Sequence, residues 1–119
     1  MKQKVVVGPV GEIPPGERKV IEVGRRQIGV FNVGGEFFAV ANSCFHQRGP
    51  LCRGLLSGTL AADADSGFLP EWRLDGEVLI CPWHSLEFHI RTGRCLAFPG
   101  RRVPTYEIEA VDGMLTVSV

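Results

Sequence analysis

Residues 81–88 read CPWHSLEF, a thiol and an imidazole separated by two residues. The apolar run EVLI leads straight into Cys81 and LEFHI follows, so the C-x-x-H pair occupies a bend between two strand-like segments. Pro82, inside the pair, favours that bend. The chain has only four cysteines and three histidines. The combination nevertheless recurs upstream as CFH, Cys44 to His46, with 34 residues between His46 and Cys81. This first pair also follows a strand-like run, EFFAVAN, and turn formers surround it: Asn42 and Ser43 before, Gly49 and Pro50 after.

Outward from these pairs, the chain alternates short strands and turns. KVVV, RKVIEV, QIGVFNV, EFFAVAN, EVLICP, LEFHI, TYEIEAV and MLTVSV are rich in β-branched and aromatic residues, and several alternate apolar with polar positions. Asn32-Val33-Gly34-Gly35 and Asp112-Gly113 read as hairpin turns, because they offer residues that tolerate positive φ. Asp75-Gly76 is expected to precede a further strand in the same way. With 15 glycines and 8 prolines spread along the chain, an ordinary helix has little room. The expected class is all-β. One stretch breaks the rhythm: residues 55–74, LLSGTLAADADSGFLPEWRL, read as a long surface loop with at most one helical turn near Leu60 to Asp63.

A chain of 119 residues fits a single domain, 1–119. The 13 basic and 13 acidic residues cancel, which leaves no electrostatic footprint for nucleic acid or an anionic membrane. No apolar run is long enough to span a bilayer. The start, MKQKVVVGPVGEIPPGE, is basic but lacks the apolar core of a signal peptide, and the expected location is cytoplasmic. A reducing compartment disfavours two disulfides, and thiols beside histidines point to metal. The candidate ligands are Cys44, His46, Cys81 and His84, brought together by two loops at strand ends.

CFHQRGPLCRG together with CPWHSLEFHIRTGRC resembles the ligand motifs of the Rieske iron–sulfur proteins, in particular the soluble Rieske-type ferredoxins. The resemblance runs from the strands near Val20 to the C-terminus. It implies the Rieske fold, an antiparallel sandwich or incomplete barrel with a small cluster-binding subdomain of two loops, here about residues 42–99 with an insertion at about 55–74. It implies one 2Fe–2S cluster, with Cys44 and Cys81 on one iron and His46 and His84 on the other. Two ferric ions, two sulfides, two thiolates and two neutral imidazoles sum to zero charge, whereas four thiolates would leave two negative charges. An added electron is therefore repelled less, and histidine ligation raises the potential by a few hundred millivolts. The histidines are expected toward the surface, where their outer nitrogens can meet a partner and carry coupled protons.

High-potential members of that family add a disulfide between the two ligand loops. Its cysteines would fall at Gly49 and Trp83 of this chain. They also place a serine two residues after the second ligand histidine, where this chain has Leu86; Ser85 lies one residue too early. Fewer hydrogen bonds to sulfur predict a low potential within the family range of roughly −150 to +300 mV. The chain departs from the ring-hydroxylating ferredoxins in three ways. The interval between its motifs is about twice the usual one, Phe45 stands where proline is frequent, and HSL replaces HGW. The segment LAFPGRR, Leu96 to Arg102, resembles the proline loop that covers the cluster, and Trp83 is expected to pack beneath the ligand loops.

Other readings compete with this one. A single tetrahedral zinc on the same four residues is chemically allowed, although C-x-H is not a usual zinc-finger half. An all-thiolate cluster would use Cys52 and Cys95, but C-x7-C-x28-C-x13-C does not match the plant-type spacing and leaves the histidines unexplained. Cys52 and Cys95 are read as structural thiols, with a disulfide between them as the lesser option, and His89 as an exposed strand residue. Arg48, Arg53, Arg101 and Arg102 form either a docking patch for an acidic partner or a set of solvated charges.

The expected function is a low-potential carrier of single electrons from a reductase to a terminal oxygenase or other redox enzyme, without catalysis or a small-molecule substrate of its own. A mononuclear iron site of the facial-triad type needs two further histidines and a carboxylate, and only His89 remains. The alternative is a small Rieske-like subunit of a multi-component enzyme such as nitrite reductase.

Overall fold

The computed structural model describes residues 3–43, 50–82 and 85–119. Among the described residues nine strands carry the fold: β1 (Lys4–Pro9), β2 (Arg18–Val23), β3 (Arg26–Val33), β4 (Glu36–Ala41), β5 (Leu55–Ala61), β6 (Glu71–Ile80), β7 (Glu87–His89), β8 (Thr105–Val111) and β9 (Met114–Ser118). The only helical elements among the described residues are three single 3-10 turns, so the chain is all-β as expected. Six strands form one antiparallel sheet in the order β1-β9-β8-β4-β3-β2, and three form a second in the order β5-β6-β7.

The period of two along β3 and β4 explains how one sheet serves two cores. Ile28 and Val30 on β3, and Ala39 on β4, pack with Val7, Leu115 and Val117 from β1 and β9. The sheet thus curls so that its two halves enclose one apolar interior, an incomplete barrel. The alternate residues, Phe31 on β3 and Val40 on β4, point to the opposite face. There they join Leu51, Cys52, Leu79, Cys81, Phe88, Ile90, Cys95 and Val103 in a second core beneath the three-stranded sheet. Both faces of these central strands are apolar, and a register slip of one residue would exchange the two sets.

Turn chemistry fixes that register. Gly34 and Gly35 both adopt positive φ (60° and 96°), as the β3–β4 hairpin requires. The buried Asn32 side chain accepts from Gly35 N at 2.8 Å and donates to Ile13 O at 2.8 Å. Asp112 and Gly113, also at positive φ, make the β8–β9 turn.

Three expectations about the region between the motifs are corrected. Residues 55–74 are not a strandless loop. Leu55–Ala61 pairs with the first and last thirds of Glu71–Ile80 in a long hairpin, Leu55 opposite Ile80 and Ala61 opposite Glu71. The single helical turn lies at Ala64–Ser66, beyond Leu60 to Asp63, where Asp63 and Ser66 form a reciprocal capping box. Asp75-Gly76 does not precede a strand but lies inside β6, in a bulge where Leu74 and Gly76 have positive φ (54° and 77°). Leucine and small residues fill β5, with Thr59 its one β-branched residue. Its pairing depends on its partner, which composition alone does not reveal.

Candidate metal centre

Of the four candidate ligands, Cys81 is described; Cys44, His46 and His84 lie outside the described residues, as do Phe45, Arg48, Gly49 and Trp83. Cys81 follows the last residue of β6, and β4 ends at Ala41, just before the first motif. Both motifs therefore start where a strand stops, as expected. The Cys81 thiol is free and fully buried. Its backbone N–H donates to Leu86 O at 2.8 Å, which closes the second motif at its neck. Ser85, within that neck, is exposed and holds φ 56°, while the Leu86 side chain packs against the second core.

The first motif returns to the fold through a 3-10 turn, Leu51–Arg53. Leu51 and Cys52 are fully buried and share the second core with Cys81. The feet of both motif-bearing segments thus stand in one apolar cluster. The Cys52 amide donates to Asn42 Oδ1 at 2.7 Å, and Asn42 Nδ2 in turn donates to Gln27 Oε1 at 2.9 Å. Arg18 reaches across from β2: its Nη1 donates to Cys52 O at 3.0 Å and to Gly54 O, and its guanidinium lies 4.9 Å from the Phe31 ring centroid.

Cys52 and Cys95 are free and buried, in agreement with structural thiols. Cys52 Sγ lies 3.7 Å from Val40 O, and burial pushes its pKa up to about 12. Among the described residues no cluster of three or more metal-ligating side chains forms.

His89 is not the exposed strand residue expected. It sits on β7 with its side chain 22 % exposed and Nε2 3.1 Å from Glu77 Oε1. Glu77 also accepts from Arg91 Nε at 2.7 Å, and Arg91 Nη1 donates to Glu36 Oε2 at 2.9 Å while its guanidinium covers the Phe38 ring. Hydrogen bonds from His89 and Arg91 hold the Glu77 carboxyl below the ordinary range. This chain of contacts ties the three-stranded sheet to β4 and accounts for the third histidine without metal.

The LAFPGRR segment forms a tight loop, with Cys95 N donating to Arg101 O at 3.0 Å and Leu96 N to Glu87 O at 2.9 Å. Phe98 at its apex is 53 % exposed. Arg53, Arg101 and Arg102 are exposed. Composition and spacing gave no sign of Arg18 or of the Asn42–Cys52 bond. Asn42 is legible only as a turn former, and its partner is ten positions away.

Comparison with known proteins adds the following. The Rieske [2Fe-2S] domain matches residues 3–107. The chain is 33 % identical over 90 residues to the biphenyl dioxygenase ferredoxin subunit of Pseudomonas sp. (strain KKS102), covering 76 % of this chain and 67 % of that one. It is 26 % identical over 117 residues to the 3-phenylpropionate/cinnamic acid dioxygenase ferredoxin subunit of Escherichia coli (strain K12), covering 98 % and 93 %. A solved ferredoxin of Sphingomonas yanoikuyae B1 superposes with a TM-score of 0.72 at 26 % identity, covering 98 % of this chain and 99 % of that one. No helix among the described residues is long and apolar enough to cross a membrane.

Proposed function

Since the chain belongs to the Rieske [2Fe-2S] domain family, we propose that it is an electron-transfer protein, a Rieske-type ferredoxin that takes single electrons from a reductase and delivers them to a terminal oxygenase. The observation that carries this reading is the likeness to ferredoxin subunits over nearly the whole chain, together with two complete C/H motifs.

Cys44 and Cys81 would hold one iron of a 2Fe–2S cluster and His46 and His84 the other, within a subdomain of about residues 42–99. Three features of the described residues fit that group. The Cys81 thiol is free, its loop is closed at the neck, and the feet of both motifs share one apolar core. The bound cluster supplies a one-electron couple. The protein contributes burial of Cys81, two loops anchored on strand ends, and the apolar Leu86 where high-potential relatives place a hydroxyl. Without that hydroxyl donor the reduced state is stabilised less, and the potential belongs near the low end of the range. The loop from Leu96 to Arg102 serves as a cover, and Arg53, Arg101 and Arg102 offer positive charge to an acidic partner.

Electron paramagnetic resonance of the dithionite-reduced protein tests this reading. The expected spectrum has an average g value below that of a four-cysteine cluster. A silent sample containing zinc overturns it.

A further inference from the structure

The two motifs are closed at their necks by different means. In the second, a main-chain bond does it, Cys81 N to Leu86 O at 2.8 Å. In the first, the bond runs from Cys52 N to a side chain, Asn42 Oδ1, at 2.7 Å. We infer that Asn42 and Arg18 are positioning residues for the first ligand loop, gripping its C-terminal foot so that Cys44 and His46 keep the geometry that retains the cluster. The inference rests on the function proposed above.

Two independent contacts hold the same short turn. Asn42 is itself fixed: its Nδ2 donates to Gln27 Oε1 at 2.9 Å and its N–H to Gln27 O at 2.9 Å. The acceptor offered to Cys52 is therefore oriented from β3 rather than free to rotate. Arg18, half-buried on β2, donates from its single Nη1 to the carbonyls of both Cys52 and Gly54. A guanidinium at the C-terminal end of a turn complements the carbonyl dipoles gathered there. The position of Arg18 over Phe31 fixes that donor against the second core. Gly29 leaves the Cys52 side chain just enough space, because a methyl at Gly29 would collide with it. The foot is thus held from β2, β3 and the end of β4 at once. The segment between Asn42 and Cys52 would supply one ligand to each iron, so freeing its end is expected to loosen both.

The test is the rate of cluster loss to an iron chelator, followed by visible absorption, in Asn42→Leu, Asn42→Asp and Arg18→Lys proteins beside the wild type. Asn42→Leu keeps the volume but removes the acceptor. Asn42→Asp keeps an acceptor for Cys52 N–H, and the Gln27 amide can turn to meet the carboxylate. Loss is expected about tenfold faster in Asn42→Leu, as befits one hydrogen bond of about 1.4 kcal/mol, and close to the wild-type rate in Asn42→Asp. Arg18→Lys, which keeps the charge but loses the planar group over Phe31 that aims the donor, is expected to speed loss about threefold, roughly half such a bond. Equal rates in all four proteins, or Asn42→Asp as leaky as Asn42→Leu, overturn the inference. Should Asn42→Leu fail to fold, the Arg18→Lys rate decides alone. A wild-type protein lacking the mixed-ligand resonance signal would instead refute the proposed function, so the two failures are distinguishable.

Discussion

Trp72 lies against Gly58 across the β5–β6 hairpin: a methyl group at Gly58 would stand 2.7 Å from both Cε2 and Cζ2 of the indole and 2.7 Å from Arg73 O. The indole N–H donates to Asp75 Oδ1 at 2.9 Å, so the ring is held from two sides although it is 51 % exposed. The missing side chain at Gly58 is thus a packing requirement of the hairpin. Gly58→Ala must displace backbone as well as ring, and is expected to destabilise the protein by about 1–3 kcal/mol. Urea unfolding followed by tryptophan fluorescence measures the loss. An unchanged midpoint with an unchanged emission maximum would show that Trp72 does not rest on Gly58.

Cys52 and Cys81 occupy one core yet differ in role, and alanine separates them. Cys52→Ala removes a buried thiol with a pKa near 12, and should cost roughly 1–2 kcal/mol while leaving the cluster signal intact. Cys81→Ala should abolish that signal. A second measurement uses the crowding at Gly29. Gly29→Ala places a methyl on the Cys52 side chain, so the Gly29→Ala/Cys52→Ala pair is expected to melt at a higher temperature than Gly29→Ala alone. Strict additivity in that double-mutant cycle would mean that the two side chains do not compete for space.

How far the sequence carries depends on whether a feature is local. The strands with β-branched and aromatic residues, such as QIGVFNV and TYEIEAV, announce themselves, and so do the turns at Gly34-Gly35 and Asp112-Gly113. The two C/H motifs are legible because both residue types are scarce and the spacing is short. LLSGTLA was not legible as a strand. Its register depends on Glu71–Ile80, on a bulge at 74–77 and on the indole over Gly58, all set by tertiary contact. His89 alternates as an outward strand residue, but the β6 neighbour Glu77 and the Arg91–Glu36 pair turn it into part of an inter-sheet tie. Asn42 and Arg18 escaped for the same reason, since a hydrogen bond across ten or more positions leaves no periodic trace.

The head of the hairpin should loosen in acid before the barrel does. Asp63 accepts from Arg73 Nη2 at 2.9 Å and caps Asp65 N at 3.0 Å. The bond from Arg73, foremost, lowers its carboxyl from the ordinary 3.8 to about 2. A depressed folded-state pKa stabilises the fold above the unfolded value, and the contribution disappears as pH falls from about 4 through 2. Nuclear magnetic resonance signals of Ser66 and Phe68 should therefore broaden or shift across that window while those of Ile28 and Val30 hold. Asp63→Asn should remove the pH dependence of the head. Identical titration of head and barrel signals would contradict this assignment.

His84→Cys tests the ligand set where the chemistry is most asymmetric. The substitution keeps a residue able to bind iron at position 84 but exchanges a neutral imidazole for a thiolate. The oxidised cluster then carries one more negative charge, and an incoming electron meets greater repulsion. The midpoint potential should fall, toward the four-thiolate class that lies a few hundred millivolts below Rieske centres. Loss of one imidazole should also raise the average g value of the reduced protein. A spectroelectrochemical titration of wild type and variant, each with its iron content determined, provides the comparison. A variant that retains iron and the wild-type potential would mean that the imidazole at position 84 does not ligate the cluster, and the pairing of Cys81 with His84 across the bend would have to be abandoned.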